Sequence, residues 1–266
     1  MKATTLLYHD IVPEKEFSFS GFNSPAANLY KFTDRDFMHH LSSLHKAAAR
    51  SPVLVWDYLV NERQEGKSFM LTFDDGGVCA YSHLMRLLAE VDWKSHFFIT
   101  TNYIGTPSFL DKQQIIELDA MGHIIGSHSA SHPTVMSSLT YPALLDEWKK
   151  SRATLEDILG KDVRCASIPG GYYSKNVALA ASEAGIRALF TSEPVRRSFK
   201  VGECAVIGRY TIFRRMSPAK AASIASDSYS ACFGQWFYWN IKKAAKIAGG
   251  RYYLLFRDMI ADGKRQ

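Results

Sequence analysis

The chain has 266 residues, of which 47% are hydrophobic; a sizeable core can be buried, and the composition argues against intrinsic disorder. Lys and Arg exceed Asp and Glu by 32 − 26 = 6, a mild basic balance that permits an anionic partner without selecting one. The four cysteines, Cys79, Cys165, Cys204 and Cys232, form no CxxC pair and no zinc-finger spacing, which predicts thiols in a reducing compartment.

The first element is the β-rich run ATTLLYH, residues 3–9. Its apolar stretch is broken by His9 and Asp10, so it lacks the h-region of a secretory signal. No stretch reaches the roughly 18 uninterrupted apolar residues of a spanning helix. A cytoplasmic protein is expected. Residues 10–66 are less regular: a loop, then a helix from about Thr33. KSFMLTF, residues 67–73, is a near-continuous apolar run of strand length, as in a parallel strand buried on both faces. A helix is predicted over 78–91. SHFFIT (95–100), HIIGS (123–127), VRCASI (163–168) and IRALFT (186–191) read as further strands. Between them, Asp111 caps a helix with Gln114 placed to reach back, and Gly122 stops it. Thr140 and Pro142 start a longer helix that Gly160 stops, and Ser174 starts another that Gly185 stops. Repeated β–α alternation predicts one domain over 1–266, a parallel sheet covered by helices, open or closed, with an N-terminal embellishment.

Three stretches carry chemistry. In LTFDDGG (71–77), Asp74 and Asp75 stand where a buried strand ends, and Gly76 and Gly77 let the chain turn away. Ligands of parallel α/β sheets meet this end of the strands. One Asp suffices as a helix cap, so the second needs another task. In GSHSASHP (126–133), His128 and His132 are four apart. This is the spacing that brings two imidazoles to one face of a helical turn and within reach of one ion. Two imidazoles and a carboxylate suit Zn²⁺, Co²⁺, Ni²⁺ or Fe²⁺. Neighbouring aspartates of an extended segment point different ways. One can then bind the ion while the other takes a proton from water. In SIPGGYYS (167–174), Pro169, Gly170 and Gly171 form a turn whose N–H groups can face an oxyanion, or a plain β–α turn.

In this order the three stretches resemble the polysaccharide deacetylase family, the NodB-homology domain of carbohydrate esterase family 4. TFDDG at 72–76, GHIIGSHSASHP at 122–133 and the strand SHFFIT carry the resemblance over about residues 67–192. It implies a distorted (β/α)7 barrel. It implies Asp74 as general base, Asp75, His128 and His132 as ligands of one divalent transition metal, zinc first, and hydrolysis of an N-acetyl group on a sugar. Three departures stand out. The arginine of the third motif, which steadies the base, is replaced by Ser167. Arg209, after a later strand, is the candidate substitute. Gly170 takes the place of a residue that is often Tyr, with its N–H still able to donate and Tyr172 or Tyr173 able to line the groove. No histidine follows His132, so the leaving-group acid of the last motif is missing; His9 and His123 are the candidates. These departures keep two other functions open: hydrolysis of a cyclic amide or ureide, and a glycan-binding module that has lost turnover.

Residues 217–266 lie beyond the resemblance. A short helix starts at Ser217–Pro218. After it, the chain combines Trp236, Phe237, Trp239, Tyr252 and Tyr253 with Lys242, Lys243, Lys246, Arg251 and Arg257. Such a stretch fits a helix packed on the barrel or one lying on anionic lipid at the inner face of a membrane. No motif interleaves these residues for nucleic-acid binding.

Overall fold

The computed structural model describes residues 3–14, 16–47, 51–60 and 68–241. A nine-stranded sheet forms its centre. In spatial order the strands are β11 (Tyr210–Thr211), β1 (Thr4–Tyr8), β4 (Phe69–Phe73), β5 (His96–Ile99), β6 (Ile124–Ser127), β7 (Cys165–Ser167), β8 (Ala188–Phe190), β10 (Cys204–Ile207) and β9 (Phe199–Val201). All neighbours pair in parallel except β9, which runs antiparallel to β10. The sheet curls into a half-barrel and stays open between β11 and β9. A separate ladder of β2 (Ile11–Val12) and β3 (Phe32–Thr33) ties down the N-terminal segment.

The helices are α1 (Asp34–Ala47), α2 (Val55–Val60), α3 (Met85–Ala89), α4 (Lys112–Ala120), α5 (Tyr141–Leu159), α6 (Lys175–Glu183), α7 (Pro218–Ala225) and α8 (residues 229–241). Every residue of β1 and β4 is buried, which is why both read as unbroken apolar or β-branched runs. The capping box of α4 is present with both reciprocal bonds, Asp111 accepting from the Gln114 N–H and Gln114 from the Asp111 N–H. Gly160 closes α5 in the left-handed conformation, φ 65°. On α5, Trp148 is wholly buried and donates its indole N–H to the Val177 carbonyl at 3.3 Å. The helix expected over 78–91 begins instead as one π-turn, Ala80–Leu84, before α3 takes over. Of the expected basic and aromatic tail, only the part up to Ile241 lies within the described residues; Lys242 to Arg257 fall outside them.

Candidate active site

Five strands deliver side chains to one carboxyl-end rim: β1 gives His9, β4 gives Asp74 and Asp75, β6 gives His128, β7 gives Ser167, and β10 gives Arg209. Asp75 adopts φ 79° and Gly76 φ 83°. For a residue with a Cβ this costs on the order of 1–3 kcal/mol, and here it turns the two aspartates apart. Gly77 is fixed by space: a Cβ there would lie 1.9 Å from the Asp10 carboxylate and 2.3 Å from the Ser20 hydroxyl.

Asp74 is held by Arg209. The guanidinium Nη1 and Nη2 donate to the two carboxylate oxygens at 2.7 Å each. The same arginine donates Nε–H to the Thr191 carbonyl at 2.9 Å and lies over the Phe98 ring at 5.7 Å. It is wholly buried. Burial alone would push the Asp74 carboxyl upward, but Arg209 and His128 more than offset it and hold it below the ordinary carboxylate range. Asp74 is thus a bare carboxylate at neutral pH, with the geometry to accept a proton.

Asp75 faces the histidines. Its Oδ1 is 3.4 Å from His128 Nε2 and 3.5 Å from His132 Nε2, and one donor atom from each of the three lies within 4.8 Å of the others. Two imidazole nitrogens and a carboxylate oxygen, two of the three residues buried, make a donor set that fits one divalent transition metal. The histidines do not share a helical turn, as their spacing suggested. Residues 128–132 form a loop in which Ser129 (φ 63°) and His132 (φ 58°) are left-handed, and this fold-back swings the second ring toward the first. The loop is pinned from α5: the Glu147 carboxylate accepts from the N–H groups of Ala130 (3.0 Å) and Ser131 (2.9 Å) and from the Ser131 hydroxyl (2.7 Å).

Ser167 occupies the motif's arginine position and has a task of its own. Its hydroxyl donates to Asp74 Oδ1 at 3.1 Å. Having spent its one proton, it accepts from His128 Nδ1 at 2.6 Å; the Ser167 carbonyl, an obligate acceptor, lies 3.2 Å from the same nitrogen. Both contacts place the His128 proton on Nδ1 and leave the Nε2 lone pair toward Asp75 and His132. Ser167→Ala should therefore weaken metal binding about tenfold in a competitive chelator titration, with stability nearly kept, because the carbonyl still fixes the tautomer in part. An unchanged affinity would show that the hydroxyl has no part in orienting the ring.

The two histidines named for the acid role part company. His9 extends from β1 into the site and packs against the Tyr30 ring, tilted by 36° at 4.7 Å, with its Nδ1 buried and without a hydrogen-bond partner. Burial lowers its pKa, while Asp75 and Asp74 pull it back up. His123 precedes β6, at the other end of the strand from His128. Five residues of extended chain span about 16 Å, so His123 does not reach the rim. Its Nδ1 accepts from the Ser95 N–H at 3.2 Å and its ring meets Phe97 edge-on. His123 is thereby corrected to a residue packed beneath the site.

Pro169, Gly170 and Gly171 form one 3₁₀ turn beside the histidine loop, with both glycines left-handed at φ 61° and 68°. A Cβ on Gly170 would crowd the Tyr172 ring (3.2 Å) and the Thr134 carbonyl (3.3 Å); one on Gly171 would overlap Ser192 at 2.5 Å. The Gly171 N–H is already donated to the Ile168 carbonyl at 3.2 Å.

The N-terminal segment supplies what sequence reasoning missed. Phe22 packs on the His132 ring at 4.6 Å, so this segment walls the site beside His132 as Tyr30 does beside His9. Lys31, almost fully buried, donates to the carbonyls of Phe17 (2.7 Å) and Ser20 (2.5 Å) and ties the loop down. Ser20 donates to Asp10 Oδ1 at 2.7 Å, and burial, with Asp75 nearby, raises the Asp10 carboxyl to about 6. The only sequence signal was a lysine in an otherwise weakly charged stretch.

Comparison with known proteins fits this geometry. The polysaccharide deacetylase family matches at residues 61–189. Over this segment, just under half of its length, the chain is similar to that family. Its members are hydrolases of carbon–nitrogen bonds in polysaccharides and depend on a metal in general. The chain is similar to a chitin deacetylase from Pestalotiopsis sp, 35% identical over 44% of this chain and 38% of that one. It is also similar to the peptidoglycan-N-acetylmuramic acid deacetylase PdaA of Bacillus subtilis, 29% identical over 51% of this chain and 49% of that one. Of these two curated relatives the chain spans less than half the length. Its fold is that of the Streptococcus pyogenes deacetylase PplD, with a TM-score of 0.67 at 22% identity over 82% of this chain and 95% of that one. The family match begins after His9 and ends before Arg209, so both residues come from outside it.

Proposed function

We propose that this protein removes an N-acetyl group from a sugar of a polysaccharide or a lipid-linked glycan and releases acetate. The observation that carries the reading is the division of labour between adjacent carboxylates: Asp74 locked by Arg209, Asp75 turned to His128 and His132. The named relatives that act on N-acetylated glycans support the substrate class.

Asp75, His128 and His132 would hold the ion, zinc being the first candidate. A divalent metal there supplies a Lewis acid that polarises the acetyl carbonyl and makes water more acidic. Asp74 takes the proton of the attacking water; Arg209 keeps it ionised and aimed. The water oxygen bonds to the acetyl carbon, and the Gly170 N–H is the donor offered to the resulting oxyanion, since that of Gly171 is spent. The carbon–nitrogen bond then breaks, His9 delivers a proton to the departing amine, and acetate is left.

The test is acetate release from N-acetylglucosamine oligomers and from N-acetylated peptidoglycan fragments, beside a cyclic ureide and a cyclic imide. Acetate is expected from an acetylated glycan only, lost with a strong chelator and restored by zinc. Opening of a cyclic substrate without acetate release from any glycan would replace this reading with the cyclic-amide one. Glycan binding without turnover, in protein loaded with metal, would leave a binding module.

A further inference from the structure

Among the described residues, α8 (229–241) has no charged side chain, and six of these thirteen residues are aromatic. Only one side is used by the fold. Cys232 is buried and Gln235 donates to the Thr211 carbonyl at 2.7 Å, fastening the helix to the end of β11. The other side carries Tyr229 (72% exposed), Phe233 (48%), Trp236 (41%) and Phe237 (53%). Phe233 stacks on Tyr229, Trp236 and Phe237 at centroid distances of 5.9, 5.7 and 6.1 Å, so the stripe is continuous. A contiguous apolar surface of this kind marks an interaction face, in contrast to scattered single exposures.

Two features say what meets it. The first is charge. A groove of about 280 Å³ separates the stripe from the loop Pro194–Arg197, with Tyr210 in its floor. Arg196 pairs with Asp227, while Arg197, also lining the groove, is exposed. The sequence after Ile241 continues with Lys242, Lys243 and Lys246. Charge-free aromatics beside an exposed arginine, with lysines next in the sequence, match the boundary layer of an anionic bilayer. A second copy docked about a twofold axis would bring like charges together. The second is placement. The groove loop follows β8, its Glu193 carbonyl accepts the Arg209 N–H at 3.0 Å, and Tyr210 is the next residue. The stripe therefore adjoins the same rim as Asp74.

We propose that the α8 stripe, with Arg197, seats the protein on an anionic lipid surface as a peripheral contact, with the catalytic rim turned toward that surface. Among the described residues no helix is long and apolar enough to cross a membrane, so the contact is interfacial. The proposal stands apart from the deacetylase reading, because its readout is lipid binding.

The experiment is co-sedimentation of the full chain with vesicles of phosphatidylcholine, with and without about one-third phosphatidylglycerol. Binding is expected to the anionic vesicles and to fall at least about tenfold in Phe233→Ser/Phe237→Ser and severalfold in Arg197→Glu. Melting temperature and metal uptake identify a variant that fails to fold; Arg197→Glu, on an exposed loop, keeps the test open if the aromatic variant does. Absence of wild-type binding, equal binding by folded variants, or a dimer dispersed by the aromatic variant without lipid binding would each overturn the proposal.

Discussion

Arg209→Met is expected to destabilise the fold by about 3–5 kcal/mol, read as a fall in the urea midpoint at unchanged slope. The substitution keeps the unbranched apolar stem and removes the guanidinium, including the carbon that lies over Phe98. It strips Asp74, itself buried, of two charge-assisted hydrogen bonds at 2.7 Å and leaves an uncompensated carboxylate in the interior. Against a total domain stability of about 5–15 kcal/mol, that is a large share. The mirror variant, Asp74→Asn, leaves a buried guanidinium with no counter-charge and should cost a similar amount. The double variant should cost less than the sum of the two by about 2 kcal/mol or more, because neither orphaned charge remains. Additive losses, or an Arg209→Met protein within about 1 kcal/mol of wild type, would mean that the pair is not the unit the geometry implies. Turnover separates the roles further. Arg209→Met keeps the base but loses its aim and its ionisation. Asp74→Asn removes the proton acceptor, so its residual rate should be the lower of the two even at temperatures where both are folded.

The pattern of what was legible in the sequence follows the range of the interactions. Asp74 and Asp75 were readable because the pair, the preceding apolar run and the glycines are contiguous, and a strand end is a local feature. The capping box at Asp111 and Gln114 was readable for the same reason. The His128–His132 spacing was seen, but its conformation was not: nothing in the residue types announces that Ser129 and His132 are left-handed, and the bond from the His132 N–H to the Ser129 hydroxyl (3.0 Å) that steadies the turn exists only once the loop has formed. Arg209 could be nominated from its place after a strand, yet its reach to Asp74 spans 135 positions and depends on the sheet order. Ser167 was read as a loss. In the structure it connects the proton acceptor to one metal-ligand candidate, a role that depends on β4, β6 and β7 ending at one rim. The buried Lys31 and Asp10 leave no periodic trace at all, since each is satisfied by atoms of an irregular loop 10 to 14 positions away.

The choice between two acids also turned on sheet geometry, and it gives the second large effect. His9→Ala should lower the rate on an N-acetylated glycan by about 10²–10⁴-fold, the range for loss of a positioned general acid. Metal content and melting temperature should hardly move, because His9 Nδ1 makes no hydrogen bond in the fold and its ring meets that of Tyr30 at a tilt. The chemistry favours such a group. Burial lowers the His9 pKa, which makes its protonated form a stronger acid, and Asp75 and Asp74 offset only part of that lowering. The decisive comparison is the leaving group. An amine must be protonated as the carbon–nitrogen bond breaks; a nitrophenolate leaves without a proton. Nitrophenyl acetate should therefore be hydrolysed by His9→Ala within a few-fold of the wild-type rate, while the glycan rate collapses. Equal losses on both substrates would make His9 a structural neighbour of the metal site, and no loss on either would leave the proton to come from water. His123→Ala, at the far end of β6, should keep the ratio of the two rates at its wild-type value, whatever it does to stability.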